Sequence, residues 1–441
     1  MDSDAPDHQD LPDTAAPDLD VARDLCTFID ASPTPFHVVQ TVTGVLTDAG
    51  FAAHHEADAW PGPGRWFIER GGAVVAWVDS GLDPTAPFTI VGAHTDSPNL
   101  RLKPKPDMGK ANMRQLGVEV YGGVLRNSWL DRDLGLAGRV TVRDGDDLAE
   151  QLVFIDEPIA RLPQLAIHLD RGVNDGLKLN AQTNMAPVWG VGGSDDGDFV
   201  EYLAEQLGAG VTTDQIVSWD LMFHDTAPSR LTGRESEFVS APRLDNQLSC
   251  FVASHALAQT ADADRSSVSI VALFDHEEVG STSSSGAASP LLGSIIERSV
   301  AGRGGSPDDV HRAMAASILI SSDNAHATHP NYVDRHEPDH HIALNAGPVI
   351  KINANERYAT DAPTAALFQR ACEAESVPFQ KFVNRTDLGC GSTIGPITAA
   401  ELGIPAVDVG APQLAMHSAR EFCGSHDPGY LKAAVTNVLL R

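Results

Sequence analysis

Two adjacent glutamates, Glu277 and Glu278, are the residues of this sequence that are best suited to chemistry. They come directly after residues 267–274, an apolar and β-branched run that predicts a buried strand. Two carboxylates at the end of such a strand repel each other where water is scarce, and a bound cation is the usual compensation. In metal-assisted hydrolysis, one carboxylate holds the metal and the other takes a proton from water. Taken alone, the pair also fits a solvated loop, in a chain that carries 60 acidic residues.

Metal-binding residue types occur at the ends of other predicted strands as well. His94, Asp323 and His417 each follow an apolar, strand-like run of residues, directly or after a short loop. Open α/β sheets place their sites beyond the carboxyl ends of strands. The recurrence therefore predicts a single site that is built from several strand ends.

These side chains suit a pair of zinc-type ions, which prefer imidazole nitrogen and carboxylate oxygen. His94 and His417 supply the imidazoles, and Glu278 and Asp323 supply terminal carboxylates. A two-metal site also needs one carboxylate that bridges both ions. Asp245, at the start of a predicted helix, is the best candidate, although a lone aspartate there also fits a favourable interaction with the helix dipole.

Two further acidic residues complete the predicted site without binding a metal. Asp96 lies two residues after His94, and it is better placed to hold that imidazole than to bind an ion itself. Glu277 remains unliganded and is the candidate general base. Two divalent ions, three metal-binding carboxylates and one hydroxide would make the centre electrically neutral, which leaves Glu277 free for this role.

Composition restricts the class of protein. The chain has 441 residues and a formal net charge of -29, which disfavours nucleic acids and anionic membranes as partners. Since no apolar run approaches ~18 residues, we expect no transmembrane helix. The five cysteines are scattered, which is typical of a reducing cytoplasm and argues against a cysteine-based metal site.

The pattern of predicted helices and strands changes along the chain. Residues 1–17 are acidic and lack the features of a signal peptide, so we expect a disordered arm. Residues 18–106 and 238–441 alternate strand-like and helix-like runs, which predicts one catalytic α/β domain built from both ends of the chain. Residues 107–237 contain mainly short β-like runs and predict an inserted β-rich domain.

Taken in order, these motifs resemble the aspartyl aminopeptidase family of dinuclear zinc exopeptidases. The matching segments are Ser32–His37, Gly92–Pro98, Pro242–Asn246, Asp275–Ser281, Asp323–Tyr332, Lys351–Ala359 and Met416–Glu421. The resemblance implies a mixed-sheet α/β zinc-exopeptidase domain with an inserted β-rich domain for dimerisation and assembly into dodecamers. It also implies that His94 and Asp323 bind one zinc, that Glu278 and His417 bind the other, and that Asp245 bridges them.

The same resemblance assigns residues to the substrate. Glu277 matches the family's general base. His168, in the inserted domain, matches a histidine that enters the active site of a neighbouring subunit. Lys351, His326 and Tyr358 match positions near the substrate, and we expect Lys351 to favour acidic residues by pairing with their carboxylate.

The expected activity is removal of the N-terminal residue from peptides with an unblocked N-terminus, with a preference for Asp or Glu. The expected cofactors are two divalent ions per subunit, Zn²⁺ first and Mn²⁺ or Co²⁺ as alternatives. The expected assembly is a cytoplasmic homododecamer without nucleic-acid or membrane partners. Two alternatives remain: a related glutamyl or deblocking metalloaminopeptidase, and a catalytically silent, shell-forming scaffold on the same fold.

Overall fold

The computed structural model describes residues 19–193, 197–208 and 210–441, so the acidic arm expected over residues 1–17 lies outside the described residues. The first part of the described chain contains two helices and four strands. These are α1 (Asp20–Asp30), α2 (Pro35–Asp48), β1 (Ala52–Ala53), β2 (Gly64–Arg70), β3 (Ala73–Asp79) and β4 (Phe88–His94).

The middle part of the chain is mainly β-structure. Its elements are β5 (Asn99–Lys110), β6 (Met113–Tyr121), β7 (Asp133–Asp144), β8 (Asp147–Arg161), β9 (Val188–Val191), α3 (Asp198–Leu207) and β10 (Ile216–Asp225). The six strands close into a barrel in the order β10-β5-β6-β9-β8-β7. Alternate strand residues such as Leu134, Leu136 and Val140 fill the barrel core, and α3 packs Phe199 and Leu203 against it.

Strands and helices alternate again in the last part of the chain. The elements as far as the sixth helix are β11 (Arg230–Thr232), β12 (Phe238–Ala241), α4 (Leu244–Gln259), β13 (Val268–Phe274), α5 (Leu291–Gly302) and α6 (Pro307–Ala315). The remaining elements are β14 (Ile318–Ser322), β15 (Ala325–His326), β16 (Val349–Ile352), α7 (Ala362–Ala374), β17 (Gln380–Val383), α8 (Ile394–Leu402), β18 (Ala406–Gly410), β19 (Pro412–Leu414), β20 (Glu421–Gly424) and α9 (Asp427–Leu439).

A nine-stranded mixed sheet organises both ends of the chain. Its order is β1-β2-β3-β13-β4-β14-β18-β16-β17, and the four central strands β13, β4, β14 and β18 are parallel to one another. Helices α1, α2, α4, α7 and α9 cover one face, and α5, α6 and α8 cover the other. The central strands are buried on both faces, which explains why the sequence shows them as continuous apolar runs. In β13, for example, Leu273 packs on the first face and Phe274 on the second.

A smaller sheet joins this domain to the barrel. It has five short strands in the order β11-β12-β20-β19-β15. Strand β12 leads into α4, and β20 follows the loop that contains His417. Among the described residues, no helix combines the length and the apolar character that a membrane crossing requires.

Local signals fix the starts of several helices. Thr34 caps α2 by accepting a hydrogen bond from the backbone N–H of His37, and Pro35 occupies the first turn. Ser306 and Asp309 form a reciprocal capping box at the start of α6. Asp361 caps α7 in the same manner through Thr364.

Taken together, the sheets and helices form a mixed α/β domain accompanied by a β-barrel.

Candidate metal centre

The topology brings the predicted site residues to one edge of the large sheet. His94 is the last residue of β4, and Asp323 follows β14 directly. Glu277 and Glu278 lie in a 3₁₀ turn that begins three residues after the last residue of β13. His417 lies in the loop beyond β18 and β19. Because these strands are parallel neighbours, their carboxyl ends meet, and the side chains converge.

Asp245 occupies the middle of the cluster. It lies in the first turn of α4, where Asp245 and Asn246 still have non-helical backbone angles. Its Oδ1 is 3.3 Å from Nε2 of His94, and its Oδ2 is 3.4 Å from Nε2 of His417. The two oxygens of one carboxylate therefore face two different histidines, which is the arrangement that a bridging ligand requires.

The remaining ligand types divide between the two histidines. Oδ1 of Asp323 is 3.7 Å from Nε2 of His94, and Oε2 of Glu278 is 3.3 Å from Nε2 of His417. Each half of the cluster thus offers one imidazole nitrogen, one terminal carboxylate and one oxygen of Asp245. This donor set suits zinc, which binds histidine nitrogen and carboxylate oxygen.

Both imidazoles are oriented through their other ring nitrogen. Nδ1 of His94 is 3.0 Å from the backbone oxygen of Asp96, and Nδ1 of His417 is 3.2 Å from the backbone oxygen of Gly123. A carbonyl can only accept, so Nδ1 carries the proton in both rings. Nε2 of each ring then faces the cluster, and its lone pair becomes available to a metal ion when that nitrogen loses its proton.

Within the described residues, two buried carboxylate oxygens of the cluster accept no hydrogen bond, namely Oδ1 of Asp245 and Oε1 of Glu278. Ligand atoms of His94, Asp245 and Glu278 all lie within 4.8 Å of one another. A buried, unsatisfied carboxylate oxygen is costly, and a cation would satisfy both. The unmatched oxygens and the donor types together fit a metal site.

The imidazoles and carboxylates of the cluster shift one another's pKa values. Burial alone would lower the pKa of each histidine, but the carboxylates around them outweigh it: the pKa of His94 is well above its usual value, and that of His417 is raised to about 10. Burial and the charge of Asp245 raise the pKa of Glu278 well above its usual value. Metal ions and protons therefore compete for the same ligands, and metal binding releases protons.

Glu277 has the properties of a general base. Burial, together with the charges of Asp323 and Asp245, raises the pKa of its carboxyl to about 7, against a lowering by His94. A base with a pKa near the working pH combines availability with proton affinity. Its backbone N–H donates to Oδ1 of Asp96 over 3.0 Å, which holds the turn beside the cluster.

Asp96 contributes more contacts than the sequence indicated. Its carboxylate is 3.4 Å from Nδ1 of His94, while its own backbone oxygen lies closer, at 3.0 Å. The same carboxylate accepts the backbone N–H groups of Glu277 and Glu278 and the hydroxyl of Tyr121, at 2.7 Å. Asp96 therefore ties the histidine of one half of the cluster to the glutamates of the other.

Two contacts to the cluster carried no signal in the residue pattern. The carboxylate of Glu421 is fully enclosed and accepts the backbone N–H of Asp245 at 2.8 Å and that of His417 at 2.6 Å. Burial and the charge of Asp245 raise the pKa of Glu421 to about 8. Tyr121 belongs to the barrel, far from Asp96 in sequence. Glu421 lies only four residues after His417, whereas Tyr121 reaches the site only through contact between the two domains.

The substrate residues expected from the resemblance have mixed positions. The side chain of Lys351 is 2% exposed, and its ammonium lies 3.7 Å from Oδ2 of Asp323 and 3.3 Å from the backbone oxygen of Asn324. The ring of Tyr358, itself buried, lies 5.1 Å from this ammonium. Both residues thus lie behind Asp323.

The other two residues expected near the substrate, His326 and His168, are both exposed at the surface. His326 is exposed at the end of β15 and lines a surface cavity of about 200 Å³ together with Phe382 and Met416, the residue before His417. His168 lies in an exposed segment between β8 and β9. Within the described part of the chain, no hydrogen bond or ion pair joins His168 to the cluster.

Left-handed backbone conformations also gather at the cluster. Arg243, His276 and His417 have φ values of 54°, 64° and 67°. Non-glycine residues adopt this conformation at a cost, which the surrounding contacts must offset. Each of the three lies in or beside a turn that carries a ligand type, which is typical of functional sites.

Comparison with known proteins gives one consistent family. The family described as Aminopeptidase I zinc metalloprotease (M18) matches residues 28–436. A probable M18 family aminopeptidase 2 of Streptomyces coelicolor is 51% identical over 422 residues, which cover 94% of this chain and 96% of the relative.

Solved structures agree with this assignment. A chain from the complex of Ape4 and Nbr1 superposes with a TM-score of 0.92 at 38% identity, covering 95% of this chain and 85% of that one. A chain from the mApe1 dodecamer of S. cerevisiae superposes with a TM-score of 0.83 at 28% identity, covering 95% and 96%.

Proposed function

This chain belongs to the M18 family of zinc aminopeptidases, and we propose that it removes acidic N-terminal residues from peptides with the help of two bridged metal ions. One observation carries the proposal: the two oxygens of Asp245 face His94 and His417 separately. His94 and Asp323 would hold one zinc, Glu278 and His417 the other. Bound zinc supplies Lewis acidity, which polarises the scissile carbonyl and makes water more acidic.

Glu277 handles the proton in this proposal. Its carboxylate accepts a proton from the attacking water and passes it to the amine of the leaving peptide. The group must first take and then give the proton, which a carboxylate that binds no metal can do. Asp96 fixes the backbone of Glu277 and the ring of His94, so the base and the metal ligands keep one relative position.

Lys351 is the proposed source of the acidic preference. Its ammonium is buried behind Asp323, so it acts on the P1 pocket through its charge in a poorly hydrated region. His326 and Tyr358 would line the same side of the pocket. The net charge of -29 does not oppose this, because salt screens exposed charges over about 8 Å.

The proposed domain division assigns residues 18–106 and 238–441 to catalysis and 107–237 to assembly, and the proposed assembly is a homododecamer. His168 would then enter the active site of a neighbouring subunit. Its exposed segment supports this, since Leu165, Ile167 and Leu169 are 57%, 51% and 76% exposed. Apolar groups exposed in a row are typical of an interface. The similarity to a chain of the mApe1 dodecamer also supports it.

We further propose a cytoplasmic location. All five cysteines are free, and four of them are buried, which suits a reducing compartment.

A panel of aminoacyl substrates tests the proposed specificity. We expect the zinc-loaded enzyme to cleave N-terminal Asp and Glu with a kcat/KM at least about 10-fold above that for Leu or Ala, since a poorly screened ammonium near the P1 carboxylate need contribute only about 1.4 kcal/mol for that factor. Lys351→Ala should reduce that ratio by about 10- to 100-fold. The ratio is the readout, because the loss of a cation beside Asp323 lowers both rates. An unchanged ratio in Lys351→Ala would assign the preference to other residues.

A wild-type preference for neutral residues would favour the deblocking type, and no cleavage with a full metal complement would favour the silent scaffold.

A further inference from the structure

Three consecutive residues of the barrel, Tyr121, Gly122 and Gly123, lie directly against the metal centre. They end strand β6 and continue into the following turn. Each of the three contacts a different residue of the cluster, although the cluster is built by the other domain. The contacts are made by a hydroxyl group and by the bare backbone of two glycines.

Tyr121 holds Asp96. Its hydroxyl donates to Oδ2 of Asp96 over 2.7 Å, and the guanidinium of Arg101 lies 3.8 Å from the centre of its ring. Burial and the negative charge of Asp96 raise the pKa of Tyr121, so the hydroxyl keeps its proton and remains a donor. Asp96 in turn contacts Nδ1 of His94 and accepts the N–H groups of both glutamates. The barrel therefore supports the anchor of both halves of the cluster.

Gly122 and Gly123 pack against ligands of the second half. A Cβ on Gly122 would lie 3.1 Å from the Cβ of Glu278, and a Cβ on Gly123 would lie 2.9 Å from Nδ1 of His417. Gly122 also has a φ of +70°, which glycine adopts without strain. Both positions thus require the absence of a side chain, because the ligands occupy the space.

The same turn clamps His417 from two sides. The backbone oxygen of Gly123 accepts from Nδ1 of His417, and the backbone N–H of Leu125 donates to the backbone oxygen of His417 over 3.1 Å. Two residues further on, the N–H of Ala419 donates to Oγ of Ser128 at 2.8 Å. The loop that presents His417 is therefore held by the barrel domain over three residues.

We propose that Tyr121, Gly122 and Gly123 are positioning residues of the metal centre, so that the inserted domain sets the metal affinity as well as the assembly. The inference rests on the proposed two-metal site. The backbone oxygen of Gly123 selects the ring tautomer of His417, the backbone of Gly122 limits the position of Glu278, and Tyr121 fixes Asp96. Partners of this kind around a metal ligand change metal affinity by about 10- to 100-fold when they are altered.

Zinc titration of the metal-free full-length protein, in competition with a chelator of known affinity, tests this inference. Gly122→Ala should weaken the zinc held by Glu278 and His417 by about 10- to 100-fold, and Gly123→Ala should do the same. Gly145→Ala is the matched control, because Gly145 has a similar φ of +65° in the β7–β8 turn and nothing lies within 4 Å of its added Cβ. This control should bind zinc as the wild type does.

Tyr121→Phe keeps the test decisive if a glycine variant does not fold. It removes only the hydroxyl, and it should lower zinc affinity by about 10-fold while the melting temperature of the metal-free protein changes little. Tyr202→Phe, on α3 of the same domain, is its control. Excess zinc should restore kcat in each variant, which a damaged catalytic base would not allow.

The outcomes separate this inference from the proposed function. Two zinc ions per wild-type chain, with the same affinities in Gly122→Ala, Gly123→Ala and Tyr121→Phe, would overturn the inference alone. Fewer than two zinc ions in the wild type would overturn the proposed two-metal site itself.

Discussion

Glu278 and Asp427 are both buried carboxylates, but different groups meet their oxygens. Asp427 accepts the backbone N–H of Asn345 at 2.7 Å on one oxygen and that of Gly347 at 3.1 Å on the other. In Glu278, no donor from the described parts of the chain meets Oε1, and Oε2 faces His417. The first carboxylate is satisfied by the fold, and the second is not.

Two other buried aspartates, Asp225 and Asp408, resemble Asp427 in having donors on their oxygens. Asp225 lies between Arg132, at 3.3 Å, and Arg420, at 3.4 Å. Asp408 accepts the hydroxyl of Thr393 and the backbone N–H of Ala359, both at 2.6 Å. The oxygens of these carboxylates are met by donors of the fold, whereas a carboxylate among other carboxylates needs a cation. Burial alone therefore does not separate the structural carboxylates from those of the proposed metal site. The difference is whether the fold supplies hydrogen-bond donors to the carboxylate oxygens.

The largest expected effect concerns catalysis. Glu277→Gln keeps the shape of the side chain and removes the base, so turnover should fall by about 100-fold or more while both zinc ions remain bound. Steady-state kinetics and elemental analysis of the same sample measure the two quantities. Glu235→Gln, on an exposed loop, serves as the control. Turnover within a few-fold of wild type would remove Glu277 from its proposed role.

A paired substitution sharpens the contrast between the two carboxylates. Asp427→Asn places an NH₂ group against two backbone donors and should leave the zinc affinity unchanged, because neither of those donors belongs to the cluster. Glu278→Gln should lower the zinc affinity by more than about 10-fold, because an NH₂ group replaces one of the oxygens that would hold the ion.

Zinc titration of the metal-free proteins measures both members of the pair. If Asp427→Asn lowered the zinc affinity as much as Glu278→Gln, the distinction between satisfied and unsatisfied carboxylates would fail.

A smaller effect is expected at the junction between the two domains. Burial, and then the guanidinium of Arg243, lowers the pKa of His224 to about 3 and that of His37 to about 4. Both rings are neutral in the folded chain but take up protons on unfolding below pH ~6.5. Their contribution to the free energy of unfolding is therefore complete above that pH and decreases as the pH falls. At pH 5 the loss is about 2 kcal/mol for each histidine.

The difference in unfolding free energy between pH 7 and pH 5 is the measurement. His224→Asn should reduce that difference by about 2 kcal/mol, whatever its effect at either pH alone. The exposed His311→Asn on α6 is the control. An identical pH dependence in His224→Asn and wild type would show that this ring is not held neutral.

Much of the fold was predictable because its central strands are continuous apolar runs. Residues 267–274 correspond closely to β13, and the apolar runs before His94 and Asp323 are the buried strands β4 and β14. Since these strands are parallel neighbours, residues at their ends had to meet. The convergence of His94, Glu278 and Asp323 therefore followed from local pattern alone.

The remaining contacts could not be read from local pattern. Tyr121, Gly122 and Gly123 reach the centre through the docking of one domain on another, and no periodicity describes that contact. Glu421 reaches it from a short strand of the small sheet. The pairing of the ammonium of Lys351 with Asp323, at 3.7 Å, likewise depends on two strands that are distant in sequence.

The central claim is that Asp245 bridges two metal ions, and the metal content of Asp245→Ala tests it most directly. The metal-free wild-type chain should bind two zinc ions, and Asp245→Ala should retain neither at the same free zinc concentration, because one carboxylate serves both ions. Elemental analysis after equilibrium dialysis gives the number per chain. Two zinc ions retained by Asp245→Ala would contradict the account.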